Sequence, residues 1–182
     1  MAKKAWRIII PILIMTSLAL FQNSFIGALA SPFRQFNLLL SSLVFILFFL
    51  DLRFALLSAF IAGLFLDLVS FNFFGFYLAI FFLTILAAQW ILKNWLTNRS
   101  FYTLLALMVL TTIFYNFLAA LALYLAGTGG SLFLFRSSFW LTLGYQSLWS
   151  GAFALVMFNL AVALSKRIKP FFLESKSLYD DF

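Results

Sequence analysis

The chain contains no cysteine and no histidine among its 182 residues. These absences exclude disulfides, thiol chemistry, most zinc sites and any histidine proton relay. Charged residues are also scarce, at 9% of the chain, and only Asp51 and Asp67 are acidic before the C-terminal tail. No Gly-rich phosphate loop, H-E-x-x-H or G-x-S-x-G motif occurs. Because acid–base catalysis needs a positioned partner group, we expect no catalytic site. We also expect no metal and no cofactor.

Apolar residues, in contrast, dominate the composition. They make up 65% of the chain, whereas soluble domains average about 45–50%. The chain is therefore expected to be an all-α integral membrane protein. At about 20 residues per span plus short loops, its length fits roughly six helices. We expect a six-helix transmembrane bundle with no separate soluble domain.

Polar loops, prolines and glycines divide the chain into six apolar segments. The expected spans are about 8–30, 38–50, 54–70, 76–92, 101–126 and 138–164, in one membrane domain over 1–164. Residues 165–182 form a charged cytoplasmic tail. The first segment also fits a signal peptide, with Ala28-Leu29-Ala30 before Ser31 as its cleavage site. We favour its retention as the first helix, with Pro11 in or near the first turn.

The basic residues follow the positive-inside rule. With six spans and the N-terminus inside, 10 basic residues lie on the inner side, and only Arg34 and Arg136 lie on the outer side. Both termini are therefore expected to be cytoplasmic. The net charge of +7 then serves topology and contact with anionic lipid, not nucleic-acid binding. The inner residues that anchor the topology are Lys3, Lys4, Arg7, Arg53, Lys93, Arg99, Lys166, Arg167 and Lys169, with Lys176 in the tail.

Residues 54–75 carry the most informative pattern. At 100° per residue, most small and polar residues fall on one half of the helix and most bulky ones on the other. Small residues let helix backbones approach closely, and an intramembrane charge avoids lipid, so the small half is expected to face protein. In the charge-based layout Asp67 lies about 21 Å beyond Arg53, near the outer end of its helix. The expected packing or partner face comprises Ala55, Ala59, Ala62, Gly63, Asp67 and Gly75.

Two interpretations of Asp67 follow. Its carboxylate binds an ion, a proton or a partner, or it ends the helix by hydrogen-bonding the next turn or a neighbouring helix. Amides within hydrocarbon usually link helices, and this is expected for Gln22, Asn23, Asn116 and Gln146. The alternative is a polar interior or substrate cavity lined by Asp67, Asn116 and Gln146.

Two smaller patterns are expected to be structural. Asp51 and Arg53 are two residues apart and bracket a tight turn between the second and third helices. A second close-packing face is expected on the sixth helix, formed by Gly144, Gln146, Ser147 and Gly151.

The sequence A-G-L-F-L-D-L-V-S at 62–70 is followed by F-F-G-F-Y-L-A at 73–79, a basic loop and a long fifth helix. This arrangement resembles the rod shape-determining MreD family, whose members show G-x-x-x-D in a middle helix, then a glycine-containing turn and a helix. Gly63, Asp67 and Gly75 stand at the matching positions, and Arg53 precedes them. The family often has an acidic residue in the fifth helix, where this chain has Asn116.

The resemblance implies a non-enzymatic subunit of the bacterial cell-elongation machinery in the plasma (inner) membrane. Its implied partners are the bitopic protein MreC, the actin-like MreB filament and a RodA-type peptidoglycan synthase with its transpeptidase. It also implies a fold similar to the substrate-binding components of energy-coupling-factor vitamin transporters. The alternative function is that of such a component, which binds a small molecule from the outer side through Asp67 and the amides.

Overall fold

The structure, a computed structural model, describes residues 2–31, 33–70, 74–96, 100–127 and 137–167. Every regular element in these ranges is helical. Two short 3-10 turns, Ile26–Ala28 and Phe33–Gln35, connect the first two helices. The six α-helices are α1 (Ala2–Ser24), α2 (Leu38–Phe49), α3 (Leu52–Val69), α4 (Phe76–Asn94), α5 (Phe101–Leu125) and α6 (Ser137–Arg167).

Five of these helices, α1 and α3 to α6, are long and apolar enough to cross a membrane. The expected class, a helical membrane bundle, is therefore confirmed. The exception is α2, which has only 12 residues. It is about 18 Å long, whereas the hydrocarbon core of a bilayer is about 30 Å thick.

Helix ends differ from expectation mainly at the two ends of the bundle. The limits of α2 to α5 lie within two residues of the expected ones. At the start, α1 runs from Ala2 to Ser24 and not over 8–30, so the basic N-terminal residues belong to the helix. At the end, α6 continues to Arg167, so Lys166 and Arg167 form its last turn and are not part of a separate tail.

Pro11 consequently lies inside α1, in its third turn, and not in the first turn as expected. A proline in a helix interior removes one backbone hydrogen bond, here the one to the carbonyl of Arg7, and its ring crowds the preceding turn. Membrane helices tolerate this because neighbouring helices and local adjustments satisfy the freed group.

The short helix α2 lies at the centre of the bundle. It packs against α1, α3, α4, α5 and α6, and nine of its 12 residues are buried. A helix that is hydrophobic all round is normally buried on all sides. The other helices therefore shield α2 from lipid, so its length need not match the thickness of the hydrocarbon core.

Candidate functional site

The side chain of Asp67 caps the N-terminus of α4. Its Oδ1 accepts a hydrogen bond from the backbone N–H of Tyr77 at 2.8 Å. Its Oδ2 accepts from the N–H groups of Gly75 at 3.0 Å and Leu78 at 3.2 Å. Asp67 is only 5% exposed. Both carboxylate oxygens are thus occupied by the otherwise unpaired amides at the start of a helix.

Glycine at position 75 explains why another helix must supply this cap. An N-cap residue normally accepts from the second or third helical N–H through its own side chain. Here the N-cap is Gly75, which has no side chain and adopts a left-handed conformation with φ of 93°. Asp67, which lies on α3, supplies the cap that Gly75 cannot. Its negative charge interacts favourably with the positive end of the α4 dipole.

Gly63 lies one helical turn before Asp67 and allows α4 to approach. A Cβ atom added at Gly63 would lie 2.5 Å from the Cα of Leu78 and 3.0 Å from its backbone nitrogen. Leu78 is also one of the residues whose N–H Asp67 accepts. The G-x-x-x-D pattern therefore joins α3 to α4 in two ways, by close backbone contact and by the cap.

The small-residue face of α3 is buried inside the bundle. Ala55, Ala59 and Ala62 are fully buried, whereas Phe60 and Leu68, on the other side of the helix, are exposed. The face is therefore occupied by this chain's own helices and does not present a free surface to another protein. The expected turn after α3 includes residues 71–73, which lie outside the described part of the chain.

The N-terminus of α2 is capped in a similar way. Asn37 Oδ1 accepts from Leu40 N at 3.0 Å, as an N-cap side chain does. Gln22, which comes from α1, accepts from Leu39 N through its Oε1 at 2.8 Å. Gln22 therefore links two helices, as expected for an amide in hydrocarbon. Its neighbour Asn23 is exposed, and the expected helix link is not seen there.

Asn116 and Gln146 meet directly between α5 and α6. Asn116 Nδ2 donates to Gln146 Oε1 at 2.8 Å and to the carbonyl of Thr112, also at 2.8 Å. One turn away, Ser150 Oγ lies 3.4 Å from Thr112 Oγ1 and 3.3 Å from Ser41 Oγ of α2. We call Ser41, Thr112, Asn116, Gln146 and Ser150 the polar ladder. It links α2, α5 and α6 through side chains.

Asp67 is not part of the polar ladder. All three of its hydrogen bonds given above run to the start of α4. Of the three residues expected, as an alternative, to line one cavity, only Asn116 and Gln146 therefore lie together. A pocket of about 190 Å³ between α5 and α6 is lined by Asn116 but not by Asp67. The other residues around it are Ala119, Ala120, Leu123, Ser138, Phe139 and Thr142.

The remaining expected positions are structural or lie outside the described residues. Asp51 is the N-cap of α3, without a side-chain capping bond, and the α2–α3 connection consists of Leu50 and Asp51 alone. On α6, an added Cβ at Gly144 would meet no atom within 4 Å, so no close packing occurs there. The basic residues Lys93, Lys166 and Arg167 end helices, whereas Arg99, Arg136, Lys169 and Lys176 lie outside the described ranges.

Several members of the site were not anticipated from the sequence. Asn37, Ser41, Thr112 and Ser150 were not singled out, although each is at least nine-tenths buried. A usable signal existed in the spacing, because Thr112–Asn116 and Gln146–Ser150 are both polar pairs four residues apart. Such pairs share one helix face. In the described side chains no three His, Cys, Asp or Glu residues group as they would around a metal ion.

The fold and the site define a multi-pass helical membrane protein whose interior polar groups connect helices to one another. Comparison of the chain with protein-family models, curated proteins and solved structures finds no match in any of the three.

Proposed function

We propose that this chain is a non-enzymatic, six-span membrane subunit of the bacterial cell-elongation machinery, with both termini in the cytoplasm. In this role it holds an MreC-type bitopic protein, the MreB filament and a RodA-type cell-wall synthase together in the inner membrane. The proposal starts from the resemblance carried by Gly63, Asp67 and Gly75.

The observation that supports a scaffolding role is that Asp67 caps α4 with both of its carboxylate oxygens. Among the described residues of α1 to α6, Asp67 is the one acidic side chain that is buried. Three of the roughly four lone-pair sites of this carboxylate accept helix N–H groups, which leaves little of it for another ligand. Here both oxygens hold two helices together, as a rigid scaffold requires.

Co-purification tests the proposal directly. The tagged full-length chain, extracted from the membranes of its own bacterium in mild detergent, is expected to retain an MreC-like and a RodA-like protein. Depletion of the chain is expected to convert rods into rounded cells. If neither protein co-purifies and depleted cells remain rod-shaped, the proposal fails.

The neighbouring genes provide a simpler test between the elongation role and the transporter alternative. Adjacent genes for an actin-like filament protein and for a bitopic coiled-coil protein support the elongation role. Adjacent genes for transport ATPases support the alternative instead.

That alternative, a substrate-binding component of a vitamin-type transporter, is favoured by one observation, the pocket beside Asn116. Asn116 offers an amide group there, whereas Gln146 is not among the lining residues. The pocket volume of about 190 Å³ is small, since sites for drug-sized ligands usually occupy about 300–1,000 Å³. Thermal-shift screening of the purified protein against vitamins tests it. A stabilising vitamin whose effect is lost in Asn116→Leu supports this function, and no hit across the panel counts against it.

A further inference from the structure

Exposed aromatic residues lie at the two ends of the lipid-facing surface of α5. Tyr102 and Tyr124 are 79% and 58% exposed, and helical periodicity places them within about 40° of each other around the helix. They are 22 residues apart, which corresponds to about 33 Å and matches a hydrocarbon core of about 30 Å. Tyrosine and tryptophan are enriched at the two interfaces of this core. The two tyrosines therefore indicate where the bilayer begins and ends beside α5.

Trp140 of α6 lies at nearly the same level as Tyr124. Asn116 and Gln146, which bond to each other between α5 and α6, are eight and six residues away from them. The two aromatic positions therefore differ in height by only about 3 Å. We call this level the aromatic edge. It belongs to the side of the membrane with the α1–α2 and α5–α6 connections, which is the outer side in the proposed topology.

Helix α2 runs alongside α6, and two contacts fix its height. The hydroxyl oxygens of Ser41 and Ser150 are 3.3 Å apart, and the ring centroids of Phe49 and Phe158 are 6.3 Å apart. Both pairs differ by 109 in residue number. Because the offset is the same near both ends of α2, each residue of α2 is level with the residue of α6 that is 109 positions later.

The ends of α1 and α2 consequently stop short of the aromatic edge. Leu38, the first residue of α2, is level with Ser147. Ser147 is seven residues from Trp140, which places it about 10 Å closer to the membrane centre. Gln22, near the end of α1, lies at a similar level because it accepts a hydrogen bond from Leu39 N. A helix tilt of about 20° would shorten the distance by only about 6%.

The part of the connection that leads into α2 remains at this depth. The ring centroid of Phe33 lies 4.7 Å from that of Trp149, and Trp149 is about 13 Å below Trp140 along α6. The carbonyl of Ala30 accepts from Phe33 N at 3.0 Å and from Arg34 N at 3.4 Å. Ala30 is therefore at most about 6 Å higher than Phe33, since a 3-10 turn rises about 2 Å per residue.

Polar side chains and irregular backbone are exposed at this level. Asn23 and Ser24 at the end of α1 are exposed, and so are residues 30, 31, 33 and 34 of the connection. Arg34 is the only charged residue in the sequence from 24 to 50. Lipid-facing backbone outside helices does not occur within hydrocarbon, and a charge there is unfavourable. Polar surroundings must therefore reach the connection, below the level at which they begin around α5 and α6.

The apolar residues of the connection favour lipid headgroups over a water-filled vestibule as these surroundings. Phe25, Leu29 and Phe33 are 57%, 38% and 48% exposed. Exposed apolar groups beside polar ones are typical of a surface that contacts a membrane. A vestibule would leave these three side chains in water.

We propose that the phospholipid headgroups of the outer leaflet descend onto the α1–α2 connection and contact Arg34 and the exposed end of α1. The bilayer is then thinner beside the connection by roughly 5–10 Å, as bilayers are around segments that are too short to span them. The proposal requires only that the chain is embedded in a membrane, so its test is independent of the elongation role.

Spin labels at single cysteines measure the depth, because the chain has no cysteine of its own. Ser24→Cys places a nitroxide at the exposed end of α1. Leu125→Cys is the reference at the aromatic edge, next to Tyr124, and Phe117→Cys is the reference about 10 Å below it on α5. Leu125 and Phe117 are both exposed. The full-length protein is reconstituted in phosphatidylethanolamine–phosphatidylglycerol vesicles, and label collisions are measured with oxygen, with a water-soluble nickel complex and with nickel chelated to a lipid headgroup.

The label at Ser24 should collide with both forms of nickel about as often as the label at Leu125. The label at Phe117 should meet them at least about tenfold less often and favour oxygen, because polar solutes partition poorly into hydrocarbon. If the label at Ser24 behaves like the one at Phe117, the helix end lies in hydrocarbon and the proposal is wrong. It is equally wrong if that label meets the soluble complex but not the headgroup nickel, because the connection then lines a vestibule.

Ser31→Cys provides a second position, within the connection itself. Ser24 and Ser31 are both exposed, so replacing either by cysteine should leave the melting temperature unchanged, which establishes that the variants are folded. The proposal requires contact with headgroup nickel at both positions, and loss of that contact at either one contradicts it.

Discussion

The sequence left two roles open for Asp67, binding a ligand or ending its helix. In the structure its side chain joins α3 to the start of α4. Its carboxylate accepts three backbone hydrogen bonds from the first residues of α4. Hydrogen bonds to charged groups contribute about 1.5–3 kcal/mol each, and an unpaired donor in an apolar interior is costly. Gly63, one turn away, sets how closely the two helices approach.

Asp67→Ala should lower the free energy of unfolding by about 3 kcal/mol, because it leaves three part-buried amides without an acceptor. Asp67→Asn keeps one carbonyl oxygen but points an NH₂ group at other donors, so we expect a loss of about 2 kcal/mol. Unfolding of the purified protein in mixed micelles, followed by tryptophan fluorescence, measures both losses.

The control for this prediction is Asp51→Asn. Asp51 is exposed and makes no side-chain capping bond, so its substitution should change stability by less than about 0.5 kcal/mol. In cells, Asp67→Asn should disturb growth and shape more than Asp51→Asn. Comparable behaviour of the two variants would contradict the capping role.

Gly63→Ala should also destabilise the protein, by about 1–3 kcal/mol, because the added methyl group collides with the backbone of Leu78 and not with a movable side chain. Gly144→Ala is the matched control in α6. It meets open space and should stabilise by about 0.5 kcal/mol through higher helix propensity. Melting temperatures in detergent that move in opposite directions confirm the prediction, and a stabilising Gly63→Ala refutes it.

At the scale of whole elements, two helices depend on side chains from a preceding helix for their first turn. Asp67 of α3 caps α4, and Gln22 of α1 joins Asn37 in capping α2. The start of α2 is buried, so water does not satisfy its first N–H groups. Helix ends in such places need protein acceptors. The caps therefore fix where α2 and α4 begin as well as which helices they adjoin.

Gln22→Ala should cost about 1–2 kcal/mol, since it removes the acceptor for the N–H of Leu39 in a part-buried position. Asn23→Ala, at the exposed neighbouring position, should cost less than about 0.5 kcal/mol. Chemical unfolding of the two variants side by side measures the difference. Equal losses would mean that the α1–α2 link contributes nothing.

At the scale of the molecule, the bundle places a short apolar helix at the centre and five longer helices around it. Outward-facing residues such as Leu68, Leu148 and Leu125 are apolar and exposed, as lipid contact requires. The proposed topology puts both termini and the α2–α3 and α4–α5 connections on the cytoplasmic side.

The absence of cysteine makes this topology simple to test, because a single introduced cysteine is the only thiol in the chain. In intact cells with a permeable outer envelope, a membrane-impermeant maleimide should label Arg34→Cys and leave Lys93→Cys unlabelled. After the membrane is opened, both should react. Labelling of Lys93→Cys in intact cells would reverse the proposed orientation.

The sequence predicted the limits of α2 to α5 within two residues, missed those of α1 by six residues at each end, and predicted tertiary relations poorly. Periodicity identified the buried face of α3, because small residues and a charge mark the side away from lipid. The meeting of Asn116 with Gln146 could not be derived, since spacing within one helix does not determine its register against another. The central place of α2 was overlooked, although its 12 residues combine uniform apolarity with insufficient length, two properties typical of a shielded helix.

The cap on α4 also has a consequence for biosynthesis. The N–H groups that Asp67 binds lie 8, 10 and 11 residues later in the chain. At about 5–20 residues per second, a ribosome makes that segment in about 0.5–2 s. During this interval α3 has emerged with a carboxylate that lacks its partners and is unfavourable in lipid. We therefore expect α3 to wait at the translocon and to enter the bilayer together with α4, as a preassembled hairpin.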